Sequence, residues 1–170
     1  MNKRSGMYPR LRVDSAAVPA VAQAGGVLLT RTVETSGLGI LLSRALGPWR
    51  KSLARHDPAK VLLDLAISLA LGGDACRDAA LLRSEPGVYG RVASDATISR
   101  TITALAADVD RVEKAVAKAR AAARDLVWGL ADDKAPGHDA TADKPVIIDL
   151  DATLVTPHSD KEQARPTFKK

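Results

Sequence analysis

Apolar residues recur at helical spacing from residue 25 to residue 130, and this periodicity is the strongest constraint on the fold. The clearest segment begins at Asp57, with Pro58 at the first helical position, and ends at Gly72 and Gly73. Its apolar side chains cover nearly every side, so we expect a buried helix around which the others pack. The pattern predicts a mainly α-helical domain over residues 1–130.

Two more helices are expected, one after Ser94 and one after Asp108. Ser94 can cap the first of them, which is amphipathic, with a core face and a polar face. In the second, apolar residues recur in alternating steps of three and four as far as Leu130, which is the seam pattern of packed helices. We expect this seam to pack within the domain, and homodimerisation through it is the alternative.

The periodicity stops at residue 131 and changes afterwards. Residues 131–144 are rich in Asp, Ala, Gly and Pro, which is typical of a flexible linker. The β-branched run from Pro145 to Val155 then predicts a strand. A short strand is also expected at residues 10–13. The predicted organisation is a helical domain (1–130), a linker (131–144) and the start of another domain (145–170).

Composition and charge narrow the function. The longest apolar stretch contains Asp64 and is far too short to cross a membrane. Five aromatic residues are too few for the base-stacking platforms of single-strand binders, so a nucleic-acid partner would be a duplex. Residues 1–56 hold nine Lys and Arg against two acids, a net of +7, which suits contact with phosphate, although a solvated basic surface is the alternative. The single cysteine, Cys76, cannot form a disulfide within the chain, so a reducing, cytoplasmic location is expected.

Asp149 and Asp151 are the residues that most suggest chemistry. On a strand, residues two apart project to the same face. Two carboxylates on one face repel each other unless a cation lies near them, and Mg²⁺ prefers oxygen ligands. We therefore expect Asp149 and Asp151 to bind Mg²⁺. The alternative is a pair of solvent-exposed acids at the end of the strand.

The segment VIIDLDATLVTPHSDKEQARPTFKK (residues 146–170), with the helical element SDATISR (residues 94–100) before it, resembles the DDE transposases of bacterial insertion sequences. The resemblance implies a ribonuclease-H-like α/β core whose first strand ends in Asp-x-Thr. It assigns the catalytic Mg²⁺-binding carboxylate to Asp151, with Thr153 at the Thr position and Asp149 as the second candidate. It also implies that residues 1–130 bind double-stranded DNA at terminal inverted repeats.

Residues expected to touch DNA lie on the two helices after Ser94: Arg100, Thr97, Ser99 and Thr101 on the first, and Arg111, Lys114 and Lys118 on the second. An arginine in a major groove can bind a guanine edge, and hydroxyl groups can hold phosphate or contact a thymine methyl. For the first set the alternative is a core-packing helix, and for the second a solvated face.

Two other interpretations stay open. The motif from Asp149 to Thr153 is similar to the first motif of haloacid-dehalogenase-like phosphatases, although Ala152 replaces the preferred Gly and the motif comes late in the chain. The other is a helical regulator that binds duplex DNA without catalytic ancestry.

A two-metal centre needs a further carboxylate from a distant strand, and only 19 residues follow Asp151. We therefore expect the chain to be an N-terminal transposase fragment with a truncated catalytic core. Such a fragment should not catalyse DNA strand transfer on its own.

Overall fold

The structure of the protein is a computed structural model that describes residues 6–10 and 25–150. Within these residues it is mainly helical and contains no β-strand. The helices are α1 (Gly26–Thr35), α2 (Leu38–Ala45), α3 (Pro58–Ala70), α4 (Ala79–Arg83), α5 (Pro86–Tyr89), α6 (Asp95–Ala106) and α7 (Val109–Ala131). Single 3₁₀ turns occur at Gly47–Trp49, Cys76–Asp78 and Asp132–Lys134.

The chain divides into two compact units, Met1–Ala135 and Pro136–Lys170. The first unit holds α1 to α7, and the described part of the second consists of turns and irregular chain. Among the described helices, none has the length and apolar character needed to cross a membrane.

The core of the first unit forms around α3, as the sequence predicts. This helix packs against α1, α2, α4 and α6, and its Val61, Leu63 and Ile67 are buried. The side chains of Leu46, Leu82 and Ile98, from the surrounding elements, are also almost fully buried. Leu69 is 59% exposed, so one side of α3 faces solvent and the expectation of burial on nearly every side holds only in part.

The ends of α3 have the chemistry that the sequence indicates. The Asp57 carboxylate accepts a hydrogen bond of 2.9 Å from the Ala59 amide and so caps the helix, with Pro58 at its first position. At the other end Gly72 has a φ of +96°, a left-handed conformation that strains residues with a side chain. These two features fix the length of the central helix.

Helices α6 and α7 bury several of the apolar residues that the sequence pattern predicts. Ile98 and Leu105 of α6 are buried, and α7 packs mainly against α2, with Val112, Ala119 and Ala123 buried. The seam is exposed at both ends, because Val109 and Leu130 keep 49% and 68% of their surface accessible.

The predicted strand from Pro145 to Val155 is not formed over residues 145–150, which are described. Ile147 and Leu150 are 83% and 94% exposed there. A β-strand requires a hydrogen-bonded neighbour, and the described residues supply none, so the β-branched composition alone does not produce a strand. The remaining residues of that prediction, and residues 11–13 of the short N-terminal strand, lie outside the described ranges; Arg10 is not in a strand.

Candidate nucleic-acid interface

An open groove of about 1000 Å³ crosses the first unit. It lies where residues 6–10 pass beside α2, the loop before α3 and the turn after α5. Seven of its lining residues carry a positive charge or can acquire one: Arg10, Arg44, Arg50, Arg55, His56, Lys60 and Arg91. The acid among the described lining residues is Asp57.

The one carboxylate in this lining is already engaged. Asp57 accepts hydrogen bonds from the Ser43 hydroxyl at 2.5 Å and the Ala59 amide at 2.9 Å, and Arg50 lies 3.4 Å from it. By contrast, Arg44, Arg55 and Arg91 are exposed and form no ion pair with any described residue. The groove therefore presents three arginines whose charge is available to an anion.

Below the groove, Lys60 is buried in a cluster of polar partners. Its ammonium group lies 2.5 Å from Oδ1 of Asp64, donates to the Tyr89 carbonyl at 3.1 Å, and sits 4.3 Å from the centre of the Tyr8 ring. The Tyr8 hydroxyl donates to the same Asp64 oxygen at 3.0 Å. Three interactions thus occupy the ammonium group, so Lys60 is a structural cation rather than an anion ligand.

Burial shifts the ionisation of each member of this cluster. It lowers the pKa of Lys60 and raises the pKa of Asp64, while the mutual attraction of the pair opposes both shifts. Burial and the neighbouring Asp64 raise the pKa of Tyr8. Oδ2 of Asp64 and the hydroxyl of Ser68 are buried without a hydrogen-bond partner within the described structure.

Lys60 also connects two walls of the groove. Through Tyr8 it holds residues 6–10 against α3, and through the Tyr89 carbonyl it holds the turn that leads to Arg91. Gly90, between Tyr89 and Arg91, has a φ of +68°, which a glycine adopts without the strain imposed by a Cβ. The position of Arg91 thus depends on a buried ion pair and on one glycine.

His56 lies on the groove wall, partly buried. Burial lowers the pKa of its imidazole, and the positive charges of Arg91, Lys60 and Arg55 lower it further. Burial and the surrounding cations therefore both disfavour the protonated form of this imidazole.

The α6 residues predicted to touch DNA are not part of this groove. Ser99 and Arg100 are exposed, and Arg100 donates to the Thr97 hydroxyl at 3.3 Å. The Ser94 and Thr97 hydroxyls are 3.0 Å apart, and Thr101 donates to the Thr97 carbonyl at 2.8 Å. The polar face forms a local hydrogen-bond network, and Ser94 stands at the N-cap, where its hydroxyl accepts no hydrogen bond from a backbone amide, contrary to the predicted cap.

The three basic residues of α7 differ from one another. The Arg111 guanidinium is 2.8 Å from the Asp108 carboxylate and 5.3 Å from the centre of the Trp49 ring. Lys114 and Lys118 are exposed and form no ion pair with a described residue. Arg111 is thus partly neutralised, whereas the two lysines keep their charge.

Of the two predicted metal-binding aspartates, Asp149 is exposed on irregular chain, and Asp151 lies outside the described residues, as does Thr153. No group of three or more His, Cys, Asp or Glu side chains suited to a metal ion occurs in residues 6–10 and 25–150.

The sequence pattern did not predict that Arg44, Arg55 and Arg91 form one groove. Arg44, Arg55 and Arg91 come from three separate segments that meet only after the helices pack. The signal that pointed towards Arg44 and Arg55 is the basic excess of residues 1–56, and nothing local marked Arg91.

A helical unit with an open, arginine-lined groove is suited to a polyanionic partner. The chain belongs to the family described as transposase DDE domain group 1, whose family model matches residues 3–170. This membership favours the transposase over the phosphatase and over a regulator of separate ancestry. No curated protein and no solved structure matched the chain.

Proposed function

We propose that the helical unit binds double-stranded DNA at the terminal inverted repeats of a transposable element, as the DNA-recognition part of a DDE transposase. The observation that carries the proposal is the groove with three arginines that have no acidic partner in the described structure. Phosphate oxygens take arginine as their usual partner, and such contacts supply most of the affinity for a duplex.

Sequence recognition is assigned separately, to α6. Arg100 is exposed there beside the hydroxyls of Thr97, Ser99 and Thr101, and an arginine can read a guanine edge. Lys114 and Lys118 of α7 add phosphate contacts in this proposal, with Arg111 contributing less because of its bond to Asp108. The groove would position the duplex, and α6 would distinguish one sequence from another.

The test measures binding of a fluorescein-labelled duplex of mixed sequence by anisotropy over a range of salt concentrations. Replacing Arg44, Arg55 and Arg91 together by Ala should reduce the slope of log affinity against log salt by about 3, since each lost phosphate contact removes about 0.9. The matched control replaces Arg77, Arg120 and Arg124, which are exposed and do not line the groove. Equal changes in both triple variants would refute the groove as the DNA site.

Recognition by α6 is tested with Arg100→Ala. Binding to a duplex that carries the inverted repeat should weaken by roughly 5- to 150-fold, the range expected for one lost base contact of about 1–3 kcal/mol. Binding to the mixed-sequence duplex should change little. A uniform loss on both duplexes would identify Arg100 as a phosphate contact only.

We also propose that two copies pair through the C-terminal part of α7. Leu126 and Leu130 continue the line of Val112, Ala119 and Ala123 along the helix, yet are 45% and 68% exposed. Sedimentation equilibrium should show a dimer that Leu126→Ser with Leu130→Ser converts to monomer. A monomeric parent protein at micromolar concentration would refute this pairing.

A further inference from the structure

The surroundings of His56 in the groove are almost entirely cationic. Arg55 precedes it in the loop, Lys60 belongs to α3, and Arg91 comes from the turn after α5. The neighbouring carboxylate, Asp57, is occupied by Ser43, the Ala59 amide and Arg50. Three segments of the chain therefore direct positive charge at one imidazole.

Two of these cations have their charge available. Lys60 is paired with Asp64, whereas Arg55 and Arg91 form no ion pair with any described residue. The side chain of His56 likewise makes no hydrogen bond within the described structure. Two partner-free guanidinium groups beside a partner-free imidazole are the donor set of an oxyanion site.

We propose that Arg55, His56 and Arg91 form a phosphate-binding subsite of the groove, at which His56 takes up one proton from solvent when a phosphodiester binds. The subsite rests on the proposed DNA-binding function and specifies its chemistry. The neutral imidazole becomes an imidazolium that donates to a phosphate oxygen, and no covalent bond changes.

The direction of the effect follows from the charges. Without DNA, burial lowers the pKa of His56, and the cations of the groove around it disfavour a further positive charge as well. A bound phosphate brings a negative charge among them and reverses this repulsion. Among the remaining charged groups that line the groove, Arg10, Arg44 and Arg50 are cations and reinforce this change. Asp57, the acid among the described lining residues, has the opposite sign, and Arg50 lies 3.4 Å from its carboxylate.

The test follows the imidazole of His56 by NMR in the full chain, with and without a duplex of mixed sequence, because DNA phosphodiesters do not themselves titrate near neutral pH. Saturating DNA should move the midpoint of the His56 titration to higher pH. Calorimetry in buffers of different ionisation enthalpy should show proton uptake on binding near pH 6.5. His56→Gln should abolish this uptake, and His138→Gln, at an exposed site in the second unit, should preserve it.

Affinity supplies a second readout. It should weaken roughly fivefold from pH 5.5 to pH 8 in the parent protein, as expected for one charge beside a phosphate in water, and should be flat in His56→Gln. DNA binding with an unchanged His56 titration would overturn the subsite and leave the proposed function standing. Absence of DNA binding at every pH and salt concentration would overturn both.

Discussion

Replacement of Lys60 by methionine tests the buried cluster beneath the groove. Methionine keeps most of the apolar stem and removes the ammonium group, so the Asp64 carboxylate, only 2% exposed, loses its counter-ion. The Tyr8 hydroxyl, at 3.0 Å, is then its remaining hydrogen-bond partner among the described residues. Breaking a buried pair in this way costs about 3–5 kcal/mol of unfolding free energy. That loss is a large part of the ~5–15 kcal/mol that holds a typical domain together.

The measurement is urea unfolding at pH 7, followed by circular dichroism and by the fluorescence of Trp49 and Trp128. Lys60→Met should move the midpoint strongly towards lower urea. The double variant Lys60→Met with Asp64→Asn should recover much of the loss, because the neutral amide removes the unpaired buried charge and keeps an oxygen that can accept from the Tyr8 hydroxyl. A double variant as unstable as the single one would refute the ion-pair argument.

The pH dependence of the stability of Lys60→Met checks the direction of the Asp64 pKa shift. Burial already raises the pKa of Asp64 in the parent protein, and Lys60→Met should raise it further, because the ammonium charge that opposes this shift is removed. The folded state then binds more protons than the unfolded state between the two pKa values, so the variant gains stability as pH falls through that window. The difference from the parent protein should therefore shrink towards acidic pH, and a difference that grows would contradict this assignment.

Three further variants test other parts of the first unit. Asp57→Ala should cost about 1–2 kcal/mol in urea unfolding through loss of the α3 cap, and no loss would show that the cap is dispensable. Gly26→Ala should lower the free energy of unfolding by about 1–3 kcal/mol, since a Cβ there would stand 1.9 Å from the hydroxyl oxygen of the buried Tyr89. Gly25→Ala should be tolerated, because a Cβ at Gly25 would have nothing within 4 Å. Equal losses in the two variants would refute the clash. In the DNA-free protein the pKa of His56 is lower than in the unfolded chain, so the unfolded chain binds more protons than the folded one between the two pKa values. Stability should therefore fall as the pH drops from the ordinary histidine pKa to the pKa of folded His56. His56→Gln should flatten the thermal midpoint over that range, and an unchanged slope would argue against it.

Local signals were enough to predict α3, α6 and α7, but not the short helix α5. The cap at Asp57, the glycines after α3 and the three-and-four spacing of α7 act over a few residues, and each produces the element expected from it. The strand at residues 145–150 could not be decided in this way, because a strand depends on a partner elsewhere in the chain.

The candidate site was harder to predict because it is built from tertiary contacts. Lys60 and Asp64 lie four residues apart on one helix, a spacing that permits an ion pair, but burial of that pair follows from the packing of Tyr8 and Tyr89 against it. The groove brings together arginines that are up to 81 residues apart in sequence, from Arg10 to Arg91. The charge count showed a basic excess in residues 1–56, and the fold brings arginines of that segment together with Arg91 in one groove.

The bond between Tyr8 and Asp64 spans 56 residues of sequence, and this has a consequence for the order of folding. Closing so long a loop costs chain entropy, and only the contacts made after closure offset that cost. Residues 6–10 therefore dock after α3 has formed and packed. Helix pairs that are close in sequence, such as α6 and α7, can assemble earlier. The groove is then among the last features to be completed during folding, and a chain with most of its helices formed would still lack one wall of the groove.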